Sequence, residues 1–189
     1  ATRVIDSFSD GIYLAPGTSA TVERSEITRP GRYGVSSFDA TLDMSSTIIE
    51  DPGGPGVWVQ CAAGCDCPSE LQANISDTAL RGSAIVGVSL VGVTATLDNV
   101  EVSGTTVGNN FEAGGGVSIS HCADVIATNL TIEDSADFGL LVHDAALALD
   151  GGTIEGNLRG VWVQSISISL AGGVSARHTT VARNQGVGF

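Results

Sequence analysis

Apolar side chains recur along this chain in two interleaved patterns. The first is a Gly followed at once by Val, Ile or Leu, found at Gly11-Ile12, Gly34-Val35, Gly56-Val57, Gly87-Val88, Gly116-Val117, Gly139-Leu140, Gly160-Val161 and Gly186-Val187. The second is a pair of apolar residues five positions apart, at Val22/Ile27, Ile75/Leu80, Leu97/Val102, Ala127/Ile132, Leu149/Ile154 and Ala176/Val181. Around both, apolar residues alternate with Ser, Thr, Asp and Glu, the period of two that a strand with one buried face requires. The stretches are short and rich in Val, Ile and Thr, which disfavours helix and suits strand. The repeat that starts at Gly34 fits the second pattern only as Leu42/Ile48, which predicts one extra residue and a bulge there.

The glycine starts are separated by 23, 22, 31, 29, 23, 21 and 26 residues. A unit of about 22 residues with insertions near 61–70, 105–113 and 165–172 describes them all. No single unit can bury its own apolar face. Units stacked at ~4.8 Å form parallel sheets whose inward residues make a continuous column. The expected architecture is therefore an all-β solenoid of about seven coils of 21–31 residues, roughly 34 Å long, occupying residues 1–189 as one domain. A leucine-rich repeat of similar period would need Leu-x-x-Leu-x-Leu-x-x-Asn, which is absent. In its degenerate Gly-Ile-x-Leu-type coil starts the chain resembles the pectin-lyase-like superfamily of right-handed parallel β-helices. The resemblance covers the whole chain and implies that fold, while its motif carries little about activity. Such folds place Asn or a similar residue at the tight turn before a new strand. Asn157 and Asn184 occupy that place, but Gly31, Gly82 or Asp134 stand near it elsewhere, so an uninterrupted Asn ladder is not expected. The last coil breaks off at Phe189, so further domains of the same polypeptide are expected.

Charge narrows the partners. The chain has 21 acidic residues against 8 basic ones, all Arg, for a net charge of −13. Such a surface repels phosphate backbones and anionic lipid headgroups, so neither nucleic acid nor membrane insertion is expected. No apolar run approaches the ~20 residues that span a bilayer. The opening Ala1-Thr2-Arg3-Val4 does not have the character of an export signal. Three of the four cysteines, Cys61, Cys65 and Cys67, crowd one insertion and the fourth is Cys122. An even count in this arrangement suggests disulfides and an extracellular, cell-surface or periplasmic location, with the pairing left open. A zinc site from these thiols and His121 is the weaker reading, since C-x3-C-x-C is not a familiar ligand spacing.

If the residue after each coil Gly points inward, the residues two and four after it stack outward. The first outward column reads Tyr13, Ser36, Trp58, Ser89, Ser118, Leu141, Trp162, and the second Ala15, Phe38, Gln60, Val91, Ser120, His143, Gln164. Both tryptophans fall here, within a pentapeptide Gly-Val-Trp-Val-Gln that occurs twice, at Gly56–Gln60 and Gly160–Gln164, each time followed by an insertion. An indole beside an amide is a sugar platform, so Trp58, Gln60, Trp162, Gln164 and His143 are candidate ligand-binding residues. The alternative is that each Trp anchors its own adjacent loop. His143, Asp144 and His121 are the candidate acid/base residues. The paired carboxylates of glycoside hydrolysis are missing from this face, since Asp39 and Asp144 lie four coils or ~19 Å apart. Regular rows of Thr, as ice binding would need, are missing from it too. No cofactor is expected. The acidic turns Asp6/Asp10, Glu50/Asp51 and Glu133/Asp134/Asp137 would offer Ca²⁺ oxygen ligands, but none matches a dedicated loop and solvated surface charge is the stronger account. Asn74-Ile75-Ser76 and Asn129-Leu130-Thr131 are glycosylation sequons whose central residues are expected in the core.

Two functions follow as expectations: a secreted or cell-surface module that binds carbohydrate or serves as a rigid adhesion or spacer domain, and a polysaccharide-active lyase, epimerase or hydrolase using the outer strand face.

Overall fold

The structure is a computed structural model that describes residues 2–68, 70–108, 114–165 and 173–186. Strands dominate it, and one short 3₁₀ turn at Gly64–Asp66 is the one helical element among the described residues. In chain order the early strands are β1 (Arg3–Ile5), β2 (Ile12–Leu14), β3 (Ser19–Glu23), β4 (Glu26–Thr28), β5 (Val35–Phe38), β6 (Thr41–Ser45), β7 (Ile48–Glu50) and β8 (Val57–Gln60). Longer ones follow: β9 (Gln72–Arg81), β10 (Val86–Val91), β11 (Thr94–Ser103), β12 (Gly115–Ser120) and β13 (Asp124–Glu133). The last are β14 (Phe138–His143), β15 (Ala146–Glu155), β16 (Arg159–Gln164) and β17 (Gly173–Ala182).

All pair in parallel, in two sheets. The larger has ten strands along β1-β4-β7-β9-β11-β13-β15-β17, with β3 and β6 joined to it through β9. The smaller has seven, in the order β2-β5-β8-β10-β12-β14-β16. The chain passes back and forth between them, and inward residues of both form one apolar core.

The spacing of five in the sequence comes from a corner in the larger sheet. In β9, β11 and β13 the buried residues are Ala73, Ile75, Thr78, Leu80; Ala95, Leu97, Val100, Val102; and Val125, Ala127, Leu130, Ile132. Alternation slips by one residue at mid-strand, where Asp77, Asn99 and Asn129 have φ of 46°, 54° and 51°. A left-handed residue there turns the strand so that both arms keep their apolar residues inward, and Asn and Asp tolerate that conformation better than most side chains. Arg24, Ser46, Gly151 and His178 hold the same conformation in the same column. The residue that follows often locks the corner through its hydroxyl. Ser25, Thr47, Thr78 and Thr179 each donate to the carbonyl two residues back, at 3.0, 3.0, 2.7 and 2.9 Å. In the first repeats the corner divides the strand, so that β3 with β4, and β6 with β7, occupy the place of one later strand.

One expectation is corrected here. The repeat beginning at Gly34 has no extra residue, because Met44 and Ile49 are its buried pair, in register with Ile75 and Leu80, while Ile48 points out and is 40% exposed. Met44 keeps the spacing of five that Leu42/Ile48 broke.

The glycine starts have a steric cause. A Cβ on Gly11, Gly34, Gly56, Gly87, Gly116, Gly139 or Gly160 would collide with an aliphatic side chain of the larger sheet, respectively Ile27, Ile49, Leu80, Val102, Ile132, Ile154 and Val181. The smaller sheet approaches the larger at this point too closely for any side chain. The buried Asn157 links to Asn184, donating through Nδ2 to its Oδ1 at 3.0 Å, and its own Oδ1 accepts from Ser135 N at 2.9 Å. The three preceding repeats hold Ser83, Thr105 and Ser135 there and the two before those Pro30 and Pro52, so among the described residues the Asn stack is confined to two repeats. No helix among the described residues is long and apolar enough to cross a membrane.

Candidate functional site

Strand pairing fixes which side chains share the outer face of the smaller sheet. Tyr13, Ser36, Trp58, Ser89, Ser118, Leu141 and Trp162 lie in register from one edge to the other. Phe38, Gln60, Val91, Ser120, His143 and Gln164 form the second column. Val57, Val59 and Val161 point inward and are buried, so both tryptophans face outward. Both columns expected from the sequence are present, except that Ala15 lies just past β2 and outside the paired residues.

Small residues in the middle of those columns leave a groove of about 480 Å³. Ser89, Ser118, Ser120 and Val91 form its floor, with Trp58 and Gln60 at one end. Ser89 and Ser118 stand where larger side chains, Trp58 and Leu141, flank them in the column, which is why the surface dips there. Trp58 packs against Tyr33 with ring centroids 5.9 Å apart. Its Nε1 donates to Gln60 Oε1 at 3.1 Å, which fixes the carboxamide and leaves the Gln60 amino group out of this bond.

The two sides of the groove differ. On one, Ile85, Val86 and Phe138 make an apolar wall. The Phe138 ring lies directly over Gly115, where any Cβ would strike it. On the other side stand Ala62, Gly64 and His121. This second wall is covalently braced. Cys61 bonds to Cys67, closing the loop on itself with Cα atoms 5.9 Å apart, and Cys65 bonds to Cys122 beside His121, with Cα atoms 5.0 Å apart. All four thiols are consumed, which removes the zinc arrangement of cysteines and His121. Only a cysteine carried on the inserted loop could reach Cys122, and Cys65 is so placed.

His121 and His143 meet edge to face with ring centroids 5.9 Å apart, and His143 Nε2 lies 3.5 Å from Asp144 Oδ2. That nitrogen is buried and makes no hydrogen bond. Asp144 Oδ1 accepts from Ser165 Oγ at 2.9 Å. The three candidate acid/base residues are therefore neighbours, although among them His121 alone lines the groove. Asp39 is engaged elsewhere, its Oδ1 accepting from Ala62 N at 2.7 Å. No described residue that lines the groove is Asp, Glu or Arg.

Trp162 and Gln164 do not reach the groove. Trp162 belongs to β16, four strands from Trp58, and its ring is covered on one face by the Arg159 guanidinium at 4.2 Å. Arg159 is held in turn by Asp137. The insertion after this second pentapeptide, 166–172, lies outside the described residues, as do 109–113 of the middle one.

Each of the acidic turns has one member paired with Arg. Asp6 binds Arg29 at 2.7 Å, Glu50 lies 3.7 Å from Arg81, and Asp137 holds Arg159. The Arg29 guanidinium holds the Asp6 carboxyl below the usual aspartate range, chiefly through their hydrogen bond. Asp10 accepts from Ser36 Oγ at 2.5 Å. Among the described residues no three His, Cys, Asp or Glu side chains are gathered to hold a metal ion. Of the sequons, Asn74 is tied into a ladder with Asp43 and Thr96 at 2.7 and 2.8 Å, and Asn129 sits exposed at a corner. Ile75 and Leu130 are in the core.

Two wall residues had no signature in the sequence, Phe138 and Ile85. Phe138 precedes a coil glycine and is legible only once Gly115 is known to lie beneath it. Ile85 acquires its place from an unusual backbone turn. Compared with known proteins, the chain matches no family and no curated relative.

Proposed function

We propose that the chain is a right-handed parallel β-helix of the pectin-lyase-like type, with about seven coils, serving as a carbohydrate-binding module of a secreted or cell-surface protein. Parallel strands with short connections alternating between two sheets support that fold, since crossovers between parallel strands are right-handed in almost every case. Two disulfides support an oxidising location. The groove carries the functional reading: an indole and a fixed amide at one end, hydroxyls along the floor and no acid among the described lining residues. Aromatic faces pack on the C–H side of a pyranose while hydroxyls and amides bond its rim. The volume suits one or two sugars, as small-ligand sites generally do. Binding needs no cofactor in this reading, and the rest of the rod acts as a rigid spacer.

A glycan array followed by calorimetry on the hits tests it. Trp58→Ala is expected to weaken binding by about tenfold or more, and Trp162→Ala by less than about twofold. Failure of the array to yield any ligand, or equal losses in the two variants, refutes the assignment.

The juxtaposition of His121, His143 and Asp144 favours a second reading, a polysaccharide-active enzyme with these as acid/base groups. Turnover of a polysaccharide, seen as new reducing ends or unsaturated products and abolished in His143→Ala, would establish it over simple binding.

A further inference from the structure

We infer that the groove selects a neutral sugar bearing a methyl group, a 6-deoxyhexose at the end of a glycan, with its methyl seated against Ile85. The inference rests on the carbohydrate reading above and deepens it.

Ile85 is the starting point. Its φ is 78°, and Val86 N donates back to Ala84 O at 3.0 Å, so Ile85 is the centre of a tight three-residue turn of the uncommon hand. A β-branched side chain in that conformation is strained, whereas glycine would occupy it freely. The backbone bonds that hold the turn need no side chain: Ile85 N donates to Thr106 O at 2.9 Å and Gly115 N donates to Ile85 O at 2.8 Å. The side chain is not spent on the core either. Ile85, Val86 and Phe138 all stand apart from the apolar cluster that fills the space between the sheets, and all three line the groove. Strain of this kind persists where the side chain it presents has a use.

The chemistry of the groove then specifies the ligand. Across its width it passes from an aliphatic and aromatic wall, over a hydroxyl floor, to His121 and the braced loop. A sugar that fits must be polar along one edge and apolar at one corner. A hydroxymethyl group placed against Ile85, Val86 and Phe138 would lose its water without gaining a hydrogen bond, which is costly, whereas a methyl group gains from burial. Uronic and sulfated sugars are disfavoured twice over, because the protein carries a net charge of −13 and no described lining residue is Arg.

Calorimetry with oligosaccharides that differ only at C6 of the terminal sugar tests this, pairing L-fucosides with L-galactosides and L-rhamnosides with L-mannosides. One 6-deoxy sugar is expected to bind about tenfold more tightly than its 6-hydroxy partner. In Ile85→Gly that preference is expected to vanish while the thermal midpoint stays the same or rises, because the strain is relieved. If no glycan binds at all, the carbohydrate reading falls and this inference with it. If glycans bind with no preference at C6, or uronides bind best, the inference alone is overturned. It is overturned as well if Ile85→Gly keeps the preference, or if its midpoint drops by several degrees, which would mean that Ile85 serves the fold.

Discussion

The same five residues, Gly-Val-Trp-Val-Gln, occur at Gly56–Gln60 and at Gly160–Gln164 and meet two different fates. In the first copy Val57 and Val59 are 0% and 1% exposed, and Trp58 is held between Tyr33 and Gln60 at the end of a groove. In the second, Val161 is still buried, but Val163 is 50% and Trp162 37% exposed. Local sequence dictates the strand and the side to which each residue points, and both copies obey it. What the outward Trp then does depends on the neighbouring strands. β8 lies inside its sheet between β5 and β10, while among the described residues β16 has a neighbour, β14, on one side. A loop braced by disulfides follows the first copy, and Arg159 covers the ring of the second.

Two perturbations probe that contrast and a third sets a baseline. Removing the long crosslink through Cys65→Ser with Cys122→Ser should cost the most, about 4 kcal/mol, because it frees a segment of 57 residues in the unfolded chain. Chemical denaturation should show the loss, and the glycan binding proposed for the first copy's groove should weaken with it. Second in size is the pair of equivalent valines. Val59→Ala is expected to cost about 2 kcal/mol and Val163→Ala less than about 0.5 kcal/mol, since only the first leaves a cavity in packed surroundings. Equal costs would show that β16 is as well covered in solution as β8. The smallest effect concerns neither copy and serves as a baseline. The folded-state pKa of Asp6 is lowered by Arg29, so its contribution to stability is present above the usual aspartate range and fades as pH falls through the lowered value. Both side chains are exposed, so Asp6→Asn should change acid stability only slightly.

Much of this arrangement was legible from sequence. The Gly-aliphatic starts set the register, and the outward columns drawn from them agree with the strand pairing from Tyr13 to Trp162. The spacing of five was visible, but its cause was not. Nothing in the apolar positions reveals that Asp77 or Asn99 adopts a left-handed backbone, so those positions alone point to a bulge in the repeat at Gly34, where Met44 and Ile49 in fact keep the common spacing. The proximity of His121, His143 and Asp144 followed from the register alone. The groove's apolar wall did not, because it depends on the missing Cβ of Gly115 and on a turn at Ile85, and both are matters of three-dimensional contact. Disulfide pairing was likewise open until the loop's path was known.

The bond between Cys65 and Cys122 has a consequence for a stack of parallel strands placed under tension. Each repeat in such an array contacts only its neighbours, so tension along the axis peels repeats from the ends inward. The crosslink joins cysteines 57 positions apart and carries the load past the residues between them, so these contribute no extension however far the peeling proceeds. β9, β10, β11 and β12 lie within that span, and with them the floor of the groove. The groove thus lies in the part of the chain that would transmit force without lengthening.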